Sequence, residues 1–325
     1  MRSLVTGGGG FIGSHLVEHL LQQGDQVVVL DDFSSGHPGN LHHLVGSDDV
    51  AVIHGSILDA KLVDDVVDGC DVVYHLAAAV GGKMINEHPL ESLRINLHGT
   101  EIVLESAAAR GTPILFASTS ETYGKNYDVP LGEQHDRIFG CSWKSKWSYA
   151  EAKAIGEFMA YSLWRSAGLP AVIVRLFNTV GPRQTGRYGM VVPRFVGQAL
   201  SGRDLTVYGD GQQSRCFCHV ADVVPALAAL ATLPQARGKA VNIGGSQETT
   251  IRDLAERVIA LTGSSSGIVH VPFSEAYLPG FEDVRRRVPD TRLARQLVSF
   301  APRYDLDAII DSVADAYRYR ALTVA

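Results

Sequence analysis

Residues 3–13, SLVTGGGGFIG, decide the fold of this 325-residue chain. An apolar strand runs directly into Gly7, Gly10 and Gly13, and a segment with its apolar side chains on one helical face follows. Glycine permits a tight turn here, a close approach of the backbone to a phosphate, and close packing of the helix on the strand. A purely structural turn is the alternative, because the spacing is GxxGxxG rather than GxGxxG and such a string alone is weak evidence.

The alternation of strand and helix continues through the first half of the chain. Short apolar runs without polar alternation, each followed by a helical segment, are typical of a parallel sheet that is buried on both faces. We therefore predict an α/β fold, a doubly wound parallel (Rossmann) sheet with a smaller, interleaved C-terminal domain. The predicted strands cover residues 3–6, 27–30, 50–54, 72–76, 114–117 and 171–176, and the longest predicted helices cover residues 90–109 and 146–167.

Composition and charge argue against several classes of protein. The chain is 46% hydrophobic with a net charge of −6, whereas a general nucleic-acid binder would normally be basic. No apolar run reaches the roughly 18–20 residues of a membrane span, and the N-terminus lacks the pattern of a signal peptide. The four cysteines suggest no disulfide framework, and Cys216-x-Cys218 lacks the spacing of a metal site. We predict a cytoplasmic protein without metal, nucleic-acid partner or membrane partner.

An acidic residue strengthens the dinucleotide interpretation of the glycine string. Asp31 ends the second predicted strand, 18 residues after Gly13. A carboxylate at this point accepts hydrogen bonds from a ribose diol and repels the additional phosphate of NADP, so we predict NAD as the cofactor. The alternative is a solvated turn, formed by Asp31 and Asp32 with the small residues at 34–36.

Tyr149 and Lys153 stand four residues apart in a predicted helix, so their side chains share one face. A lysine ammonium favours phenolate and lowers the pKa of a nearby phenol, which makes tyrosine usable as a base near neutral pH. Such a pair alone is common on surface helices. However, the hydroxyl-rich stretch 117–124 follows the fifth strand, where ligands bind in an open parallel sheet.

Together these features resemble the extended short-chain dehydrogenase/reductase superfamily, in particular its nucleotide-sugar epimerases, dehydratases and decarboxylases. The resemblance extends over essentially the whole chain and includes HLAA at 75–78, Asn96 and RLFNTVGPR at 175–183. It implies that Thr119 is the hydroxyl partner, that Tyr149 is the acid/base, and that Lys153 binds the nicotinamide ribose. It also implies a homodimer that is formed through the two long helices.

The resemblance further implies two binding regions. Residues 1–177 plus about 218–245 form the NAD-binding domain, and residues 178–217 plus about 246–325 form the nucleotide-sugar-binding domain. One departure from the family is Ser56, which stands where the family often has an aspartate near adenine. The residues expected to bind NAD are Gly7, Gly10, Phe11, Ile12, Gly13, Asp31, Asp32, Ser34, Ser35, Gly36, Ser56, Ile57, Leu76, Ala77, Ala78, Asn96, Tyr149 and Lys153.

For the UDP-sugar substrate, the resemblance places uracil beside the strand at 205–208 and the diphosphate on two arginines. Guanidinium groups suit this task because they grip phosphate oxygens in pairs. For Arg287 the alternative is a solvated arginine in the loop 285–287. The residues expected to bind substrate are Thr119, Ser120, Glu121, Asn178, Arg187, Val191, Val207, Tyr208, Arg215 and Arg287.

The reaction implied by the resemblance begins when Tyr149 removes the proton of the sugar 4-hydroxyl while NAD takes hydride from C4. The family's 4,6-dehydratases carry Asp-Glu after the catalytic threonine, and Ser120-Glu121 does not match them. Its UDP-glucuronate decarboxylases, which yield UDP-xylose, carry Thr-Ser-Glu, which does match. Arg187 could pair with a C6 carboxylate and so disfavour the loss of that carboxylate as CO2, although it could also be a loop residue facing water.

We therefore predict from the sequence a UDP-glucuronate 4-epimerase that forms UDP-galacturonate. The decarboxylase and a UDP-glucose 4-epimerase stay open as alternatives. A dinucleotide-binding protein without catalysis is disfavoured, because Thr119, Tyr149 and Lys153 are all present.

Overall fold

The computed structural model describes residues 1–81, 87–186, 190–276 and 284–324. The strands are β1 (Arg2–Thr6), β2 (Gln26–Asp31), β3 (Val50–His54), β4 (Val72–His75), β5 (Ile114–Thr119), β6 (Ala171–Leu176), β7 (Thr179–Val180), β8 (Leu205–Tyr208), β9 (Ser214–Cys216), β10 (Cys218–His219), β11 (Ala240–Ile243), β12 (Glu248–Thr250), β13 (Ile268–Val271) and β14 (Arg286–Arg287). The helices are α1 (Phe11–Gln22), α2 (Ala60–Val67), α3 (Pro89–Arg94), α4 (Thr100–Arg110), α5 (Lys146–Ala167), α6 (Val191–Leu200), α7 (Val220–Thr232), α8 (Ile251–Thr262), α9 (Phe273–Ala276), α10 (Arg292–Val298) and α11 (Leu306–Val324). A π-helical turn covers Ile95–Gly99, and short 3₁₀ turns cover Pro38–Asn40, His42–Leu44, Ser120–Tyr123 and Pro234–Ala236.

Seven of these strands form one parallel sheet in the order β11-β6-β5-β4-β1-β2-β3. The direction of winding reverses between β1 and β4. In an open parallel sheet the ligand cleft lies beyond the carboxyl ends of the strands at such a reversal. The predicted doubly wound fold is confirmed, and the glycine string after β1 lies at the reversal.

Both faces of the sheet are buried, which explains why its strands lack polar alternation. Val5 and Val29 belong to a core shared with α1 and α7, whereas Leu4 and Val28 belong to a second core shared with α2, α4 and α5. A buried aliphatic side chain of this kind contributes about 1.5–3 kcal/mol. Successive residues of each central strand therefore stabilise opposite layers of helices.

A third core lies in the C-terminal half of the chain. It joins α6, α8, α11 and β8 through residues such as Phe195, Leu254 and Ile310. Two small sheets accompany it: β13 pairs with β8, and β9 lies between β12 and β14. The segment 285–287 was expected to be a loop, but Arg286 and Arg287 form β14 because the backbone of β9 offers them a parallel partner.

The helix predicted at 90–109 is divided. Helices α3 and α4 flank the π-helical turn, in which Asn96 is 1% exposed. The Asn96 side chain accepts a hydrogen bond from the Ala79 amide (3.1 Å) and donates one to the Ala79 carbonyl (2.9 Å). π-Helical turns of this kind often accompany functional sites, and this one fixes the loop that follows β4.

Within the described ranges, no helix is both long enough and apolar enough to cross a bilayer.

Candidate active site

The glycine turn after β1 is built so closely that side chains cannot replace its hydrogens. Gly7 has φ +74°, and a Cβ there would lie 2.7 Å from the Ala77 nitrogen. A Cβ on Gly13 would collide with the Gly7 carbonyl oxygen. No side chain caps the N-terminus of α1 at Gly10. The first N–H groups of α1 therefore adjoin an open cleft, as a bound pyrophosphate requires.

Asp31 braces this turn from the end of β2. Its Oδ2 accepts a hydrogen bond from the Gly9 amide (2.8 Å), and its Oδ1 accepts one from the Phe33 amide (2.7 Å). The residue is 8% exposed, and burial raises the pKa of its carboxyl above the ordinary value. Asp31 also borders the cleft beside Asp32, so a ribose diol would meet an already ordered carboxylate.

A cavity of about 960 Å³ runs from this turn to the C-terminal half of the chain. Such a volume accommodates a large ligand or two adjoining ones. Most residues expected to bind NAD line this cavity: Gly7, Gly10, Phe11, Ile12, Gly13, Asp31, Asp32, Ser34, Ser35, Ile57, Leu76, Ala77, Ala78, Tyr149 and Lys153.

Three of the expected NAD residues do not line the cavity themselves. Gly36 packs against the backbone of Gly9, where a Cβ would come within 2.8 Å of the carbonyl carbon. The Ser56 hydroxyl accepts a hydrogen bond from the Leu58 amide (3.3 Å). The Asn96 side chain is hydrogen-bonded to the backbone of Ala79, and Ala79 lines the cavity. These residues shape the backbone that would contact the cofactor.

The three expected catalytic residues come from two neighbouring elements and line the same part of the cavity. Thr119 ends β5, and its Oγ1 accepts a hydrogen bond from the Glu121 amide (3.2 Å). Tyr149 and Lys153 project from the first turns of α5. Lys153 is 1% exposed, and its Nζ donates to the Ala117 carbonyl oxygen (2.9 Å). A sugar hydroxyl at this point could meet both a phenol and an alcohol.

The prediction that Lys153 lowers the pKa of the Tyr149 phenol is wrong for this arrangement. Burial raises the pKa of Tyr149, and the nearby Glu121 carboxylate raises it further. Burial also lowers the pKa of Lys153 to about 7, although Glu157 acts in the opposite direction. The physical reason is that both side chains are buried together. The loss of hydration that burial imposes on the phenolate and on the ammonium is the largest effect on each pKa.

Arg287 lies beside the Thr-Ser-Glu segment. Its Nη1 is 3.4 Å from Glu121 Oε1, and its side chain is 8% exposed. The pairing of β14 with β9 places Arg287 opposite Arg215, whose Nη1 donates to the Val284 carbonyl oxygen (2.8 Å). The alternative of a solvated Arg287 is therefore wrong. The two expected diphosphate arginines adjoin each other, and one of them is paired with a carboxylate.

The other expected substrate residues divide into three groups. Val207 is fully buried in the third core, because side chains alternate along β8, and it does not line the cavity. Arg187 lies outside the described residues, so its expected contact with a sugar carboxylate stays a prediction. The remaining residues line the cavity: Thr119, Ser120, Glu121, Asn178, Val191, Tyr208, Arg215 and Arg287.

Two cationic side chains in the cavity wall were not anticipated. Lys146 stands three residues before Tyr149 on the same face of α5, a spacing that could have identified it. The Arg194 guanidinium lies 4.0 Å from the centre of the Tyr208 ring, a cation–π arrangement. Arg194 follows Val191 by three residues on α6, so the helical spacing was again the available signal. Both cations add positive charge to a cavity that is expected to bind an anionic substrate.

The described residues contain no group of three or more His, Cys, Asp and Glu side chains able to hold a metal ion. The organic cofactor fits better: the turn that only glycines fill and the carboxylate at the end of β2 suit a dinucleotide.

Comparisons with known proteins agree with this geometry. The model of the NAD dependent epimerase/dehydratase family matches residues 3–244. The chain is 42% identical to a UDP-N-acetyl-alpha-D-glucosaminuronate decarboxylase from Bacillus cytotoxicus, over 93% of this chain and 92% of that protein. It is 34% identical to UDP-glucuronic acid decarboxylase 1 from Xenopus tropicalis, over 98% and 72% of the two chains.

A solved structure has the same fold. It is a UDP-glucuronic acid 4-epimerase from Bacillus cereus in complex with UDP-glucuronic acid and NAD. The two folds superpose with a TM-score of 0.88 at 28% identity, covering 98% of this chain and all of the epimerase.

Proposed function

The chain belongs to the NAD dependent epimerase/dehydratase family, and we propose that it decarboxylates a UDP-hexuronate after NAD-dependent oxidation at C4 of the sugar. Both sequence relatives described above are decarboxylases by name, one for the 2-acetamido uronate and one for UDP-glucuronate. The 4-epimerase predicted from the sequence depended on Arg187 as a partner for the carboxylate. The decarboxylase, the competing interpretation, has the better support.

The observation that carries the proposal is the Glu121–Arg287 pair beside Tyr149. Arg287 contacts Glu121 through Nη1 (3.4 Å), and the resemblance assigns its guanidinium to the diphosphate rather than to the substrate carboxylate. The Glu121 charge acts on the Tyr149 phenol, so it lies near the position of the sugar O4. The C6 carboxylate is two bonds from C4 and would lie in the field of a like charge. Loss of CO2 removes the charge from C6 and passes the electron pair to O4, where hydrogen bonds from the protonated Tyr149 and from Thr119 stabilise it.

In this mechanism Tyr149 accepts the proton of the 4-hydroxyl, and Thr119 donates a hydrogen bond to the same oxygen. Bound NAD supplies the hydride acceptor, and later the hydride donor, at C4. The 4-keto uronate is a β-keto acid, so the C5–C6 electron pair can pass to the C4 carbonyl as CO2 departs. Tyr149, now protonated, stabilises the resulting enolate oxygen. A proton from solvent replaces CO2 at C5, and Tyr149 returns its proton to O4 when the ketone is reduced.

Product analysis tests the proposal. The purified protein with NAD is incubated separately with UDP-N-acetylglucosaminuronate, UDP-glucuronate and UDP-glucose, and products are analysed by mass spectrometry and sugar composition. We expect a product that is lighter by one CO2 from at least one of the two uronates. An isobaric product from a uronate would establish an epimerase instead, and turnover of UDP-glucose alone would reject the assigned role of Glu121.

We also propose that the chain forms a homodimer. Ile155, Phe158 and Tyr161 follow one another at three-residue intervals on α5 and are 48%, 69% and 40% exposed. An exposed apolar stripe of this kind on a long helix is typical of a protein–protein interface. A second copy of the same helix would cover it with an equivalent apolar surface.

A further inference from the structure

Glu157 is a buried carboxylate one helical turn beyond Lys153 on α5. It is 8% exposed, and both of its oxygens accept hydrogen bonds. Oε1 accepts from the Ser118 hydroxyl and from Arg175 Nε (2.9 Å), and Oε2 accepts from Arg175 Nη2 (2.6 Å). The sequence pattern assigned no role to Glu157 or Ser118, and the proposed chemistry uses neither of them directly.

Arg175 extends this contact to the segment that follows Thr119. Its Nη1 donates to the Glu133 carbonyl oxygen (3.0 Å), and its guanidinium lies 4.8 Å from the centre of the Tyr123 ring. Tyr123 ends the short helix that carries Ser120 and Glu121, and its hydroxyl donates to Asn242 Oδ1 (2.8 Å). One buried ion pair therefore contacts α5, β6 and the segment that carries the expected catalytic threonine.

A buried ion pair is a poor source of stability, because the desolvation of both charges offsets their attraction. An apolar pair of similar volume would suit this layer of the core as well. The position of the pair indicates another role. Ser118 directly precedes Thr119, and the neighbouring Ala117 accepts the hydrogen bond from Lys153. The end of β5 is thus bound to α5 at two successive residues.

We propose that Glu157 is a positioning residue: through Ser118 and Arg175 it holds the end of β5 against α5, so that Thr119 faces Tyr149 and Lys153 across the sugar hydroxyl. Reacting groups must be held to within a fraction of an ångström for efficient catalysis. The inference rests on the proposed function for the identity of the reaction, but not for the geometry.

The charge of Glu157 also acts on Lys153. The groups that surround the Lys153 ammonium are Glu157 on α5, the Ala117 carbonyl and the Phe116 ring on β5, and the neutral His75 on β4, with Tyr149 one turn earlier on α5. Among the charged neighbours, Glu157 raises the pKa of Lys153 and so opposes the effect of burial. Without the carboxylate, Lys153 would lose its proton at a lower pH.

Two variants separate positioning from charge. Ser118→Ala removes one hydroxyl and leaves the ion pair intact. We expect kcat to fall about tenfold or more and KM for the UDP-uronate to stay within about twofold of wild type. Catalysis depends on the exact position of Thr119 relative to Tyr149, whereas substrate binding does not. Glu157→Gln removes the charge. We expect the alkaline limb of the activity profile to move to lower pH by about one unit or more.

A measurement that needs no turnover accompanies the assays. NAD affinity is measured by calorimetry across the same pH range, and we expect Glu157→Gln to lose affinity at a lower pH than wild type. Glu151→Gln, which removes a carboxylate from the same helix, is the matched control and should leave both profiles unchanged. If Glu157→Gln does not fold, the double variant Glu157→Gln, Arg175→Met removes both charges together and takes its place.

The inference is overturned if Ser118→Ala keeps the wild-type kcat and Glu157→Gln, or the double variant in its place, keeps the wild-type pH dependence of NAD affinity. Failure of the proposed function looks different, because the wild-type protein would then release no CO2 while its NAD affinity still depended on Glu157.

Discussion

At the scale of the residue, the candidate site depends on two groups whose charged forms are disfavoured by burial. Tyr149 has a raised pKa and Lys153 a lowered one, so the site without ligands does not contain a preformed phenolate beside an ammonium. Glu121 contributes to this state, since its charge opposes ionisation of the phenol. Tyr149 must therefore release its own proton to solvent as ligands bind, before it accepts the proton of the sugar 4-hydroxyl.

Tyr149→Phe tests the phenol directly. It removes the hydroxyl that accepts and returns the O4 proton, so we expect the rate of CO2 release to fall by about 10²–10⁴-fold. Thermal stability should change little, because the ring remains. Tyr127→Phe, at a position that is 63% exposed, is the control and should keep full activity. A Tyr149→Phe variant with a rate near that of wild type would remove the phenol from its assigned role.

Glu121→Gln tests the carboxylate. We expect a decrease in kcat of about tenfold or more, because the field that favours CO2 loss is absent. The limb of the pH profile that reports Tyr149 should also move to lower pH, since the negative neighbour that raises the pKa of this phenol is gone. Rates of CO2 release across the pH range measure both effects. Glu105→Gln, at an exposed position on α4, controls for the change in net charge, and an unshifted limb in Glu121→Gln would contradict the prediction.

At the scale of the element, the strands and helices that frame the site are joined by buried polar contacts. His75 ends β4, with its Nδ1 2.8 Å from Thr6 Oγ1 on β1 and its Nε2 3.1 Å from Thr100 Oγ1 on α4. Asn96 in the π-helical turn fixes the backbone after β4 in a similar way. These contacts hold the strand ends on both sides of the sheet reversal.

The His75 contact predicts a pH dependence of stability. Burial lowers the pKa of His75 to about 3, below its ordinary value of 6.5. The unfolded chain therefore binds a proton that the folded one excludes as the pH falls below 6.5. The free energy of unfolding should decrease by up to about 1.4 kcal/mol per pH unit between pH 6.5 and 3 because of this residue.

Urea denaturation of wild type and His75→Gln at pH 7.5 and at pH 5 measures this contribution. The variant should lose less stability than wild type between the two pH values, because glutamine does not titrate. His42→Gln, at an exposed position, is the control and should follow wild type. Equal losses in His75→Gln and wild type would show that His75 does not carry the effect.

At the scale of the whole molecule, one cavity joins the glycine turn, the Thr119–Tyr149–Lys153 group and the C-terminal arginines. The exposed stripe on α5 lies on the helix that also carries Tyr149 and Lys153. Association through this stripe would restrain the helix from its outer side, while Glu157 restrains it from the inner side.

Phe158→Asp tests the proposed dimer. A charge in the centre of an apolar interface is strongly unfavourable when it is buried, so we expect the variant to elute as a monomer where wild type elutes as a dimer. Size-exclusion chromatography with light scattering gives the masses. Val45→Asp, at another exposed apolar position, should remain dimeric. A monomeric wild-type protein, or a dimeric Phe158→Asp variant, would reject α5 as the interface.

The sequence by itself determined the sheet and the glycine turn, and it predicted the expected catalytic groups. These are local features: apolar runs predict buried strands, and glycines mark a turn that tolerates no side chain. The four-residue spacing of Tyr149 and Lys153 fixes a shared helix face. The division of the helix at 89–110 was missed, because both hydrogen bonds that fix Asn96 to the backbone go to the distant Ala79.

Only the tertiary structure decided which charges meet. Glu121 and Arg287 are 166 residues apart in sequence, and Glu157 contacts a serine 39 residues away. Local pattern contains no information on such pairs, because they form only when β14 joins β9 and α5 packs on β5. Desolvation likewise depends on the whole fold, which is why the spacing of Tyr149 and Lys153 predicted a lowered phenol pKa where burial raises it.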